Sequence, residues 1–153
     1  MATTARLLQE PLNVAEALAG FTQARNSDGA VVSFTGLVRS ADDSGAAISA
    51  LTLEWYPGLT ERSIADIARD AESSFAVSEV LILHRVGRLE PGEPIVLAAA
   101  AATHRRAAFQ AVEYLMDRLK SDAAFWKREE GAFGARWVEP RPSDQTDRAR
   151  WSF

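Results

Sequence analysis

The chemistry open to this chain is set by where its positive side chains stand. Arg39 ends a β-branched, aromatic run. His104, Arg105 and Arg106 open a helical segment that Lys120 closes, and Lys127 and Arg128 follow the aromatic pair Phe125-Trp126. Fifteen arginines accompany only two lysines, Lys120 and Lys127. A guanidinium stays charged in any protein environment, whereas a lysine amine loses its proton when desolvated. Basic side chains at a helix N-terminus oppose the helix dipole by a few tenths to ~1 kcal/mol. A bound anion removes that conflict, because free N–H groups and added cations together make a phosphate site; the plainer arrangement is a solvated first turn. Lys120 at a helix C-terminus is favoured by the dipole, so its position alone requires no function. Two aromatics beside Lys127 could line a pocket and lower its pKa by desolvation; an edge strand with Phe125 buried and Lys127 in water fits the same pattern.

The cysteine count is zero, which removes disulfides, thiolate metal sites and thiol nucleophiles together. Any sulfur handled here must arrive on something else. His84 and His104 are far apart, no carboxylate spacing suggests a metal, and no phosphate-cradling glycine loop is present, so neither a metal nor a cofactor is expected. The net charge of −4 argues against nucleic acid as a general partner. No apolar run reaches the 18 or so residues of a membrane span, and the N-terminus lacks the pattern of a secretory signal.

The elements that must position these groups follow from periodicity and turn chemistry. Leu12–Ala24 reads as a helix, Ala30–Val38 as a strand, Ser40–Ala47 as a mobile loop and Ile48–Trp55 as a second strand. Thr60 caps a helix running to about Phe75. Glu79–Gly87 and Ile95–Thr103 are strands, and Thr103 caps a long helix to Lys120 whose core face carries Ala108, Ala111, Val112, Leu115 and Leu119. Two short strands, Phe125–Arg128 and Arg136–Val138, flank a Gly131–Gly134 turn. Residues 1–140 form one domain, and 141–153 an extended or disordered tail. Strands in pairs between helices predict an α+β domain with largely antiparallel pairing. Phe34 and Met116 read as core. His84, alternating with Ile82 and Val86, reads as a satisfied core histidine. Along the last helix Arg105 and Lys120 stand about 22 Å apart at ~1.5 Å per residue. One small pocket cannot hold both from a single chain, which predicts a homodimer with shared sites.

These segments together resemble the catalytic (large) subunit family of molybdopterin synthase. The matching stretches are Gly29-Ala-Val-Val-Ser-Phe-Thr-Gly-Leu-Val-Arg39, Leu51-Thr-Leu-Glu-Trp-Tyr-Pro-Gly58, His84-Arg-Val-Gly87, Thr103-His-Arg105, Met116 to Glu129, and Arg136-Trp-Val-Glu139. They lie in order over roughly residues 10–140. The resemblance implies an α/β-hammerhead-like fold with a small additional β subdomain, and a cytoplasmic enzyme of molybdenum cofactor biosynthesis. It implies a central homodimer with a small ubiquitin-like sulfur-carrier subunit at each end, making a heterotetramer. The carrier's C-terminal Gly-Gly thiocarboxylate would thread into the large subunit and give two sulfurs to cyclic pyranopterin monophosphate. The family's substrate-contacting positions fall on Leu37, Val38, Arg39, His104, Arg105, Lys120 and Lys127, with Arg128 and Glu129 adjoining. Leu37 departs from relatives that carry a polar or basic residue there. Arg39, His104 and Arg105 would hold the phosphate, Lys120 would act as general acid/base, and Lys127 would position substrate and stabilise developing negative charge. The contrasting expectation is a non-catalytic adaptor whose basic cleft binds an acidic or C-terminal protein tail.

Overall fold

The computed structural model describes residues 2–23 and 25–151. Twelve elements follow one another: β1 (Ala2–Leu8), α1 (Val14–Thr22), β2 (Ala30–Leu37), β3 (Ile48–Trp55), α2 (Leu59–Ser74), β4 (Glu79–Arg85), β5 (Gly87–Leu89), β6 (Pro94–Ala102), α3 (Arg105–Ser121), β7 (Phe125–Gly131), β8 (Gly134–Val138) and α4 (Pro142–Ala149). They build two four-stranded sheets, ordered β1-β4-β6-β2 and β5-β3-β7-β8. All pairings are antiparallel except β1 with β4. The architecture is the expected α+β type, with the second sheet as the small additional β unit.

The first sheet is covered on both faces. Ile82 of β4 and Val96, Ala98, Ala100 and Ala102 of β6 meet α2 and α3 on one side. Leu81, Leu83, Leu97, Ala99 and Ala101 meet α1 through Phe21 on the other. β6 is alanine-rich, a composition that does not favour strands. Its central place explains it: small side chains let helices approach closely on both faces, and Ala98 through Ala102 are fully buried. The second sheet has its own small core of Val38, Leu51, Leu53 and Leu89.

Several boundaries depart from the sequence reading. β1 was not expected, because Ala-Thr-Thr-Ala-Arg-Leu-Leu lacks a clean alternation; its parallel pairing to β4 makes it a strand. The strand expected over Glu79–Gly87 divides in two. Gly87 adopts φ +89°, a conformation that L side chains rarely adopt, and there the chain leaves the first sheet and joins the second at β5. The N-cap of α2 is Gly58, whose N–H donates to Glu61. Thr60 instead accepts from the Tyr56 N–H at 2.9 Å and donates to the Ala124 carbonyl at 2.7 Å. The N-cap of α3 is His104 rather than Thr103. Phe34, expected in the core, is 42% exposed because β2 is an edge strand. The end of the first expected helix, Ala24, lies outside the described residues.

Two segments expected to be loose are tied down. In the loop after Arg39, the Asp42 carboxylate accepts from the Ser44 and Ala46 N–H groups at 2.9 Å and pairs with Arg136 at 2.5 Å. The Arg136 guanidinium holds Asp42 well below the usual carboxylate range. The tail expected to be extended or disordered contains α4, packed along α3. Arg150 and the Trp151 indole N–H reach Asp117 at 2.9 and 2.6 Å, and Arg148 reaches Asp122 at 2.9 Å. Residues 152 and 153 of that tail lie outside the described residues.

Candidate active site

α3 spans the molecule, and the candidate residues gather at its two ends. At its N-terminus the turn after β6 brings His104, Arg105 and Arg106 into the wall of an open cavity of about 690 Å³, lined also by Gly29 and Phe109. A Cβ on Gly29 would stand 2.4 Å from the Thr103 carbonyl oxygen, so only glycine lets β2 approach this turn. The first turn of α3 carries no acidic residue, and the His104 side chain makes no capping bond. Among the described residues, neither Arg105 nor Arg106 has a carboxylate partner. Uncapped N–H groups and uncompensated guanidinium groups therefore share one exposed cavity. That is the composition of an anion site.

The other end is built differently. Lys120 lies in the last turn of α3, and Lys127 comes from β7. The start of β7 is fixed by α2, where Thr60 and Ser63 hold the Ala124 carbonyl and N–H at 2.7 and 3.1 Å. Lys127 pairs with Leu53 of β3, on the sheet face that also carries the buried core, and so points inward. Its pKa is lowered to about 8, chiefly by burial, then by the charge and direct contact of Lys120. Asp144 at the start of α4, with Glu129 two residues along β7, acts in the opposite sense. Glu129 itself accepts from Arg136 at 3.1 and 3.3 Å. His84, at the end of β4, completes this region. It is buried and stacks on Phe125 at 4.2 Å. Burial holds its pKa down at about 4, with the charges of Lys127 and Lys120 adding to the effect.

The remaining expected residues divide between these ends in a way strand direction explains. Arg39 lies beyond the Leu37 end of β2, which pairs with Pro94, whereas Ala30 at the other end pairs with Ala102 just before His104. Seven residue steps of strand, about 23 Å, separate the two. Arg39 thus stands at the lysine end, bonded to Asp43 at 2.6 Å and within the field of Glu129. Within one chain it does not join His104 and Arg105. Leu37 is exposed, whereas Val38 is buried in the second sheet's core and offers no free side chain. Arg128 alternates to the opposite sheet face from Lys127. There it lies over the Trp137 ring at 5.9 Å and near Glu54 at 3.9 Å, away from the lysine pair. Sequence reasoning missed Phe109 in the cavity wall and Asp144 and His84 beside the lysine pair. An exposed phenylalanine one helical turn after Arg105 was a signal for the first; the other two depend on tertiary contacts.

A two-sheet α+β protein with fixed cations at one end of a helix and a depressed amine at the other is the class this geometry defines. The model of the family described as MoaE protein matches residues 7–122. A molybdopterin synthase catalytic subunit from Caulobacter vibrioides is 49% identical over 145 residues, covering 95% of each chain. The solved molybdopterin biosynthesis MoaE protein from Burkholderia ambifaria superposes with a TM-score of 0.82 at 37% identity, covering 98% of each chain. A Helicobacter pylori complex of subunits 1 and 2 of molybdopterin-converting factor shares the fold, with a TM-score of 0.73 at 20% identity over 91% of each chain. The chain belongs to the MoaE family. Its work lies in molybdenum cofactor biosynthesis, as an enzyme of molybdopterin formation, and the adaptor alternative finds no support among these relatives. No helix among the described residues is long and apolar enough to cross a membrane.

Proposed function

We propose that this chain is the catalytic subunit of a molybdopterin synthase and acts as a sulfurtransferase. A small ubiquitin-like carrier presents its C-terminal Gly-Gly thiocarboxylate, whose sulfur forms a C–S bond to cyclic pyranopterin monophosphate in exchange for a carbon-bound oxygen. Water then cleaves the acyl–sulfur bond, the carrier leaves as its carboxylate, and two such transfers supply the dithiolene. The observation that carries this reading is the amine pair. In a chain without cysteine, Lys127 is drawn down to about 8 beside Lys120. An amine that exchanges its proton near neutrality suits general acid/base work, and one that is charged suits stabilisation of developing negative charge. The resemblance gives general acid/base work to Lys120, and to Lys127 positioning of the substrate and stabilisation of developing negative charge. The lowered pKa belongs to Lys127, which makes it a second proton donor and acceptor in the same contact pair. His104 and Arg105 bind the phosphate, and Arg39 and Glu129 frame the lysine side.

The length of α3 supports a site shared across a homodimer, in which the anion-binding end of one copy faces the lysine end of its partner. With a carrier on each large subunit the assembly is a heterotetramer. The test supplies purified chain with cyclic pyranopterin monophosphate and thiocarboxylated carrier and follows molybdopterin. Lys120→Ala lowers turnover by about 100-fold or more while the carrier still binds. Lys120→Arg, which keeps the charge without a titratable amine, is also inactive. Near-normal turnover in Lys120→Arg overturns acid/base catalysis by this residue.

A further inference from the structure

His84 is buried, and the acid/base chemistry assigned to the lysine pair makes no use of it. Its ring is held from two directions. Nδ1 lies 2.8 Å from the Arg85 carbonyl oxygen, and since a carbonyl only accepts, Nδ1 carries the hydrogen. The ring lies nearly parallel to Phe125, with 22° between the planes. These contacts fix both the tautomer and the direction of the other nitrogen. Nε2 is then a bare lone pair, and among the described residues it receives no hydrogen bond.

His84 is 6% exposed, and the Nε2 lone pair is hydrogen-bonding capacity left unused. The groups around it suggest what supplies a partner. Phe125 and Lys127 lie two residues apart on β7, on the same sheet face, and Lys120 approaches from α3. Both amines are near enough for their charges to act on the imidazole, Lys127 more strongly. Asp144 of α4 and Glu129 of β7 are the carboxylates within reach of Lys127. We propose that His84 is a positioning residue of the lysine site: on rotation of the Lys127 side chain its Nε2 accepts a hydrogen bond from the Lys127 ammonium and holds that amine against the inner wall of the cleft. The neutral state of the imidazole, favoured by burial, keeps that lone pair available.

This inference rests on the proposed role of the lysine pair, and one experiment separates the two. The chain has only two lysines, so 13C-lysine labelling of the intact protein yields two side-chain signals whose pH midpoints are read directly by NMR. His84→Asn keeps a donor for the Arg85 carbonyl but removes the acceptor at the Nε2 position. His84→Gln places an amide oxygen near that position. In His84→Asn the Lys127 midpoint falls by roughly half to one pH unit, and kcat falls about tenfold with KM unchanged. His84→Gln brings the midpoint back. Identical lysine midpoints in wild type and His84→Asn, with both proteins folded by circular dichroism, overturn the role of His84 and leave the lysine pair standing. A wild-type Lys127 that titrates at the ordinary lysine value overturns both.

Discussion

The two ends of α3 carry positive charge on opposite principles. At the N-terminus the charge is permanent, exposed and unopposed: Arg105 and Arg106 face a cavity of about 690 Å³ with no acid in the helix's first turn. At the C-terminus it is adjustable, with Lys127 half-buried and drawn to about 8 beside Lys120. A fixed cation suits a group that stays anionic throughout a reaction, such as a phosphate. An adjustable one suits atoms whose protonation changes along the way. The two lysines of the chain both stand at the adjustable end, and Arg105 and Arg106, which keep their charge in any protein environment, stand at the other.

The largest test of this contrast is to put the two defects on separate copies. Arg105→Ala and Lys120→Ala each inactivate a site. If sites are shared between copies, a mixed dimer carries one doubly damaged site and one intact site. Statistical mixing then restores about a quarter of wild-type turnover. No recovery in confirmed mixed dimers breaks the shared arrangement and returns each site to one chain.

Gly29→Ala sharpens the description of the N-terminal end. Its Cβ must displace the Thr103 backbone, at a cost of about 1–3 kcal/mol. Phosphate affinity falls in isothermal titration while the midpoint of Lys127 stays where it was. A shift of that midpoint would show that the ends are coupled within one chain.

The smallest effect concerns stability. Lys127 has a lower pKa folded than unfolded, about 8 against an ordinary 10.5. Between those values the unfolded chain binds more protons, so stability rises with pH across that window. Below about 8 the cost of holding the charge is fully present. Lys127→Met should therefore be more stable than wild type at pH 7, by on the order of 1 kcal/mol after allowance for solvent screening. The gap should close as pH approaches the ordinary lysine value. A gap that stays constant in thermal melts across this range would show that burial of charge is not its source.

Much of the scaffold was legible because burial imposes a period. The apolar face expected on the last helix, from Ala108 to Leu119, is the face buried in α3. What escaped notice depends on partners distant in the chain. β1 becomes a strand through β4, more than seventy residues away. α4 has no buried residue of its own and is held by charges on α3, so hydropathy could not reveal it. The site behaved alike. Residue types and helix length separated Arg105 from Lys120 correctly, but the end on which Arg39 stands follows from antiparallel register. Alternation predicted a satisfied core histidine at His84; the ring is buried and Nδ1 is bonded to the Arg85 carbonyl, but Nε2 has no hydrogen bond among the described residues.

The alanine-rich β6 has a consequence for how the molecule opens. Its amides are bonded to β2 on one side and β4 on the other, and helices screen both faces. No fraying edge reaches it, so water gains access only when the whole domain comes apart. The segment with the least side chain to bury is therefore the one whose exchange with solvent reports global unfolding.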